Sequence, residues 1–190
     1  GLAAGPDHVT FNGNAQVLKA KWRQTFYRNK ETGRRVEGFA RMSFARGSGD
    51  DPSTPTTDEA FFPSNGRRFD GLEREGFGEL FAATPYDAFG GHSPTTSGLT
   101  QGVSGVITIG MGATPPAWHG LVLDVDYFLY QADRGASTRA LGTELYLRLR
   151  HDIQDRFSVR LSMAMFTAGS ALSPVKPSSR RYLLEASGRF

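Results

Sequence analysis

The chain has 190 residues with 22 basic and 19 acidic side chains, no cysteine, 23 glycines and a mean hydropathy of −0.38. It has no run of about 18 or more apolar residues, which excludes a transmembrane helix, and without cysteine neither a disulfide framework nor a thiolate metal site can form. Low hydropathy still permits a bilayer crossing by strands, because a spanning strand needs only about 9 to 11 residues with every second one apolar. Residues 1–7 have no basic segment followed by an apolar stretch, as expected of an exported chain whose signal peptide has been removed.

Residues 16–28 place Leu18, Ala20, Trp22, Gln24 and Phe26 on one face and Lys19, Lys21, Arg23, Thr25 and Tyr27 on the other, the period of two that specifies a strand. The polar link 29–33 ends in Gly33 and predicts a hairpin turn. Beyond it Val36, Gly38, Ala40, Met42 and Phe44 alternate with Arg35, Glu37, Phe39, Arg41 and Ser43.

Residues 47–100 are a long excursion with an acidic, proline-punctuated part (50–59) and an aromatic part containing Phe61, Phe62, Phe69, Phe77, Phe81, Tyr86 and Phe89. Loops of this length are usually functional or disordered. Folded inward, these rings would gate a pore and offer faces to sugars; the alternative is an external cap packed on itself.

Alternation resumes over 102–112, with Val103, Ile107, Ile109 and Met111 opposite Ser104, Val106 and Thr108, and residues 113–117 read as a turn. Leu121, Leu123, Val125, Tyr127 and Leu129 then face away from Val122, Asp124, Asp126, Phe128 and Tyr130. Leu141, Thr143, Leu145, Leu147 and Leu149 face away from Gly142, Glu144, Tyr146, Arg148 and Arg150. A polar turn at 152–155 leads to Phe157, Val159, Leu161, Met163 and Met165 opposite Ser158, Arg160, Ser162, Ala164 and Phe166. The final run sets Tyr182, Leu184, Ala186, Gly188 and Phe190 against Arg181, Leu183, Glu185, Ser187 and Arg189.

Within each run the central charges share one parity; Arg28 and Arg46 break it, but at strand ends, where an interface tolerates them. A soluble sheet with one buried face also alternates, but soluble strands are commonly about 5 to 6 residues and these persist for about 10 to 12. Aromatic residues near the strand ends suit an interfacial girdle. The expected fold is therefore an all-β, transmembrane antiparallel β-barrel segment spanning 1–190.

Counting back from a periplasmic last strand makes 47–100 extracellular and gives seven strands, or eight if 74–83 is also a strand. Bacterial single-chain barrels have an even number of at least 8, so the count favours seven strands of a larger barrel, with an N-terminal portion missing or supplied by another chain.

The stripe Tyr182, Leu184, Ala186, Gly188, Phe190 resembles the C-terminal strand of bacterial outer-membrane proteins, which implies recognition by the barrel-assembly machinery. The segments 141–147 (Leu-Gly-Thr-Glu-Leu-Tyr-Leu), 166–169 (Phe-Thr-Ala-Gly), 48–51 (Ser-Gly-Asp-Asp) and 61–63 (Phe-Phe-Pro) together resemble the C-terminal half of the alginate export family. That resemblance implies a monomeric many-stranded barrel in the outer membrane, with a basic lumen for an acidic polysaccharide and loops covering the pore.

The residues themselves point the same way. Lys19, Lys21, Arg23, Arg35, Arg41, Arg148, Arg150 and Arg160 on the lumen face outnumber Glu37, Asp124, Asp126 and Glu144, so an anion path is expected unless these charges pair across strands. Lys19, Lys21 and Arg23 have no acid between them. The expected partners are lipid, the assembly machinery and an anionic substrate, with no nucleic acid and no cofactor. Two other classes are a structural barrel sheathing another protein and an outer-membrane hydrolase. For the latter, the four histidines His8, His92, His119 and His151 have neither ligand spacing nor a spacing that fixes a nucleophile, base and orienter.

Overall fold

The computed structural model describes residues 10–33, 35–51, 53–61, 77–81, 104–134, 139–153, 156–172 and 178–188. Within them lie β1 (Thr10–Phe11), β2 (Ala15–Arg28), β3 (Arg35–Gly47), β4 (Thr57–Asp58), β5 (Ser104–Thr114), β6 (Leu121–Arg134), β7 (Ala140–Ile153), β8 (Phe157–Ala168) and β9 (Ser178–Gly188), and no helix. Seven of these form one antiparallel meander in the order β2-β3-β5-β6-β7-β8-β9, and β1 and β4 make a separate short parallel pair. Among the described residues the large sheet is not closed: β2 and β9 are its edges. Of the 74–83 segment that would make an eighth strand, residues 78–81 form a turn, and 74–76, 82 and 83 lie outside the described residues.

Turn chemistry fixes the hairpins. Asn29 accepts hydrogen bonds on its side-chain oxygen from the Glu31 and Thr32 amides, and Gly33, at φ 68°, returns its own amide to the Asn29 carbonyl. The β5–β6 reversal falls later than the 113–117 link that sequence predicts. Trp118 and Leu121 exchange both backbone hydrogen bonds around His119 and Gly120, both at positive φ, which is the geometry of a tight hairpin turn. Pro115 and Pro116 only lead into it.

Two bulges alter the alternation. Between Thr25 and Tyr27 the register shifts, so Tyr27 pairs with Val36 and Arg28 pairs with Arg35. Phe26 is the extra residue, and its ring lies against Gly38. Phe26 and Tyr27 therefore share the apolar face while Arg28 joins the charged one, which corrects its apparent parity. The second shift leaves Leu141 unpaired between Tyr130↔Gly142 and Gln131↔Ala140. Leu141, expected in the apolar outer row, is instead wholly buried in the core.

That core lies on the charged face, at the end of the sheet where β3 enters the long excursion: Ala45, Phe77, Val106, Tyr130, Ala132, Leu141, Phe166 and Ala171. Phe77 sits under Lys19 of β2, with the ammonium 4.8 Å from the ring centre, while Glu79 pairs with Arg181 of β9 at 3.2 Å. In a flat sheet these edge strands would stand about 29 Å apart. The turn bridges both edge strands across the charged face, which is buried where the opposite face is exposed, so the charged face is the inner one.

Candidate functional site

Register arranges the inner face in rows. One row runs Lys21, Arg41, Gly112, Asp126, Tyr146, Ala164, Arg181 across β2 to β9; the next runs Lys19, Ser43, Gly110, Phe128, Glu144, Phe166, Ser179. In both, β5 supplies a glycine. A Cβ at Gly112 would collide with Asp126 Oδ1, and one at Gly110 would collide with Ser43 Oγ.

Through the gap at Gly112, Arg41 reaches across a whole strand and grips Asp126 with Nε at 3.0 Å and Nη2 at 3.1 Å, while Nη1 lies 3.3 Å from Asp124. Asp124 also takes Arg148 from its other side at 2.7 Å and accepts the Thr114 hydroxyl. Forked guanidinium–carboxylate contacts of this kind are among the stronger polar interactions, and these are partly shielded from water.

Other predicted cations are paired as well. Arg160 lies 3.5 Å from Glu185, and Arg35 lies 3.9 Å from Glu37. Arg150 Nε is 3.3 Å from Asp152 but lacks a hydrogen bond there, so that pair is electrostatic only.

The β2 triplet differs. Among the described residues no carboxylate lies within ion-pair distance of Lys19, Lys21 or Arg23. Lys19 and Lys21 instead lie over the rings of Phe77 and Phe39, at 4.8 and 4.3 Å. Lys21 stands directly opposite Arg41, whose carboxylates draw its guanidinium away across β5. A recess of about 390 Å³ opens here, lined by Lys19, Lys21, Arg41, Arg148, Phe77 and Phe128 among others.

Above the ion pairs sits the inward turn. Glu144 is fully buried, and its carboxylate accepts hydrogen bonds from the Glu79 amide (2.5 Å), the Leu80 amide (3.1 Å), the Phe81 amide (3.1 Å) and the Tyr130 hydroxyl (3.2 Å). The single Tyr130 proton is shared between this carboxylate and the Phe77 carbonyl, which lies nearer, at 2.6 Å. Phe81 stacks on Phe166 at 5.2 Å and tilts against Tyr130 at 4.7 Å. Of the aromatic residues expected to form a loop gate, Phe77 and Phe81 therefore stand on the inner face, and Phe61 packs against the same core. Phe62, Phe69 and Tyr86 lie outside the described residues.

Alternation alone places Glu144 among the lumen acids and does not single out Tyr130, Thr114, Gly78 or the two β5 glycines. The glycines were the available signal, since Gly110 and Gly112 interrupt a strand where side chains normally pack.

The outer face is apolar and bare. Trp22, Met42, Met111, Leu161 and Leu184 are between 51% and 71% exposed. Tyr182, Leu184, Ala186 and Gly188 form the outer row of β9; Phe190 lies outside the described residues. Of the histidines, His119 packs against Trp118 in the turn and His151 pairs opposite Leu121, while His8 and His92 lie outside the described residues. No protein-family model, curated protein or solved structure matches this chain.

Proposed function

We propose that this chain is wall of a bacterial outer-membrane β-barrel, a porin-like channel that passes anionic solutes or an acidic polysaccharide such as alginate, and not an enzyme. The observation that carries the reading is an inversion. Large apolar side chains are exposed along one whole face of seven strands, while Glu144, Asp124, Thr108 and Ser162 are buried on the other. A soluble protein rarely exposes a contiguous apolar patch beyond a few hundred Å², whereas lipid requires one. Strands of 11 to 14 residues, about 36 to 46 Å long, suffice to cross a hydrocarbon core of about 30 Å at a tilt. The outer row of β9 is the surface we assign to the assembly machinery. The resemblance to the alginate export family favours the polysaccharide end of the substrate range.

The anion preference rests on Lys19, Lys21 and Arg23, because most other inner cations are neutralised by neighbours. Screening limits each exposed pair to about a kcal/mol, yet several like charges on one strand bias ion entry at low salt. Single-channel recordings of the complete protein should therefore show anion preference, reversed or abolished when all three residues become glutamate, with folding intact. Cation preference in the unmodified protein would defeat the anion path. It would promote a second reading, a structural barrel sheathing another protein, which the extensive internal pairing of charge also fits.

A further inference from the structure

We infer that Glu144 is the latch that holds the 77–81 turn across the lumen, and that this latch, more than the wall, sets the width of the passage. The inference rests on the channel reading for its consequence, though not for its geometry.

The chemistry of the contact is specific. Three successive backbone N–H groups, those of Glu79, Leu80 and Phe81, converge on one carboxylate, which forms the concave nest that consecutive amides offer an anion. From the wall, Tyr130 shares its one hydroxyl proton between this carboxylate and the Phe77 carbonyl. Gly78, at φ 105°, lets the turn come this close: a Cβ there would collide with the Tyr130 hydroxyl oxygen and stand 2.9 Å from Glu144 Oε2. The turn is thereby bound to β6 and β7 at its centre, and Glu79 reaches Arg181 on β9.

A buried carboxylate that merely braced the wall would pair with neighbouring strands, as Asp124 does with Arg148. Glu144 takes only the Tyr130 hydroxyl from a neighbouring strand and accepts its three amide hydrogen bonds from a segment more than 60 residues away in sequence. The turn carries Phe77 and Glu79 into the recess that also contains Lys19, Lys21 and Arg148. Glu144 is thus a positioning residue: it touches no solute, yet it decides how far two side chains of the turn project into the path.

The test uses the complete protein in detergent and in planar bilayers. A cysteine at Leu80 reports access to the turn, since the Leu80 amide faces Glu144. Converting Glu144→Ala should raise the rate of maleimide labelling at that cysteine by at least about tenfold, the effect of losing even one of its charge-assisted hydrogen bonds. It should also raise single-channel conductance, while Glu144→Gln, which keeps one acceptor, gives an intermediate result. Amide exchange over 77–81 in the unmodified protein provides a readout that needs no folded variant, and the inference expects slow exchange there. Unchanged labelling in a folded Glu144→Ala protein, or exchange at the rate of an exposed loop, overturns the latch. Faster labelling with no conductance in either protein keeps the latch and sinks the channel.

Discussion

Gly112 occupies the seat between Arg41 and Asp126, and its missing side chain is what lets the guanidinium cross β5. Gly112→Ala should therefore break the fork and destabilise the sheet by about 1 to 3 kcal/mol, the usual cost of overpacking. Gly33→Ala meets no neighbour within 4 Å and should lose only about 1 kcal/mol through its left-handed backbone. Thermal unfolding of the detergent-solubilised protein checks the order; a larger loss at Gly33 would contradict the role given to Gly112. Outside the sheet, the Ser53 hydroxyl and amide hold the Asp51 carboxyl below its usual range, and the Thr54 hydroxyl does the same for Glu59, whereas burial raises Asp50. A lowered carboxylate stabilises the folded loop above its unfolded value, and that contribution is lost as pH falls through the folded one; Asp50 acts in the opposite sense. Carbon-13 titration should place Asp51 and Glu59 below, and Asp50 above, the ordinary values of about 3.9 for Asp and 4.3 for Glu. The reverse order would refute these contacts.

At the scale of the strand, alternation made all seven members of the sheet legible in the sequence, because within each run the central charges keep to one face and most of the large apolar side chains to the other. What alternation cannot reveal is a change of phase. The bulge at Phe26 and the one at Leu141 each insert a residue without disturbing composition, so Arg28 seemed misplaced and Leu141 seemed to face outward. Long-range contacts were equally hidden, since nothing local in 77–81 announces that three of its amides will meet Glu144. A concrete consequence follows from the first bulge. Spin labels at positions 26 and 27 should both be accessible to lipid-dissolved oxygen, and a label at 28 should favour a water-soluble relaxant. Strict alternation through 26, 27 and 28 would remove the bulge.

For the molecule as a whole, strand direction constrains how the sheet could close into the proposed barrel. Seven antiparallel strands leave β2 and β9 running the same way, so a fully antiparallel barrel requires an odd number of further strands between those edges. Cysteines on β2 and β9 should accordingly fail to cross-link to each other in the native protein, and efficient cross-linking would mean direct closure by a parallel seam. The inversion of the two faces is open to a collision-accessibility scan along β6, from Leu123 to Phe128. In a bilayer, labels at Leu123, Val125 and Tyr127 should respond to lipid-dissolved oxygen, and labels at Asp124, Asp126 and Phe128 should be shielded from it. Oxygen access without a period of two, or a period of opposite phase, would mean that the two faces are not inverted.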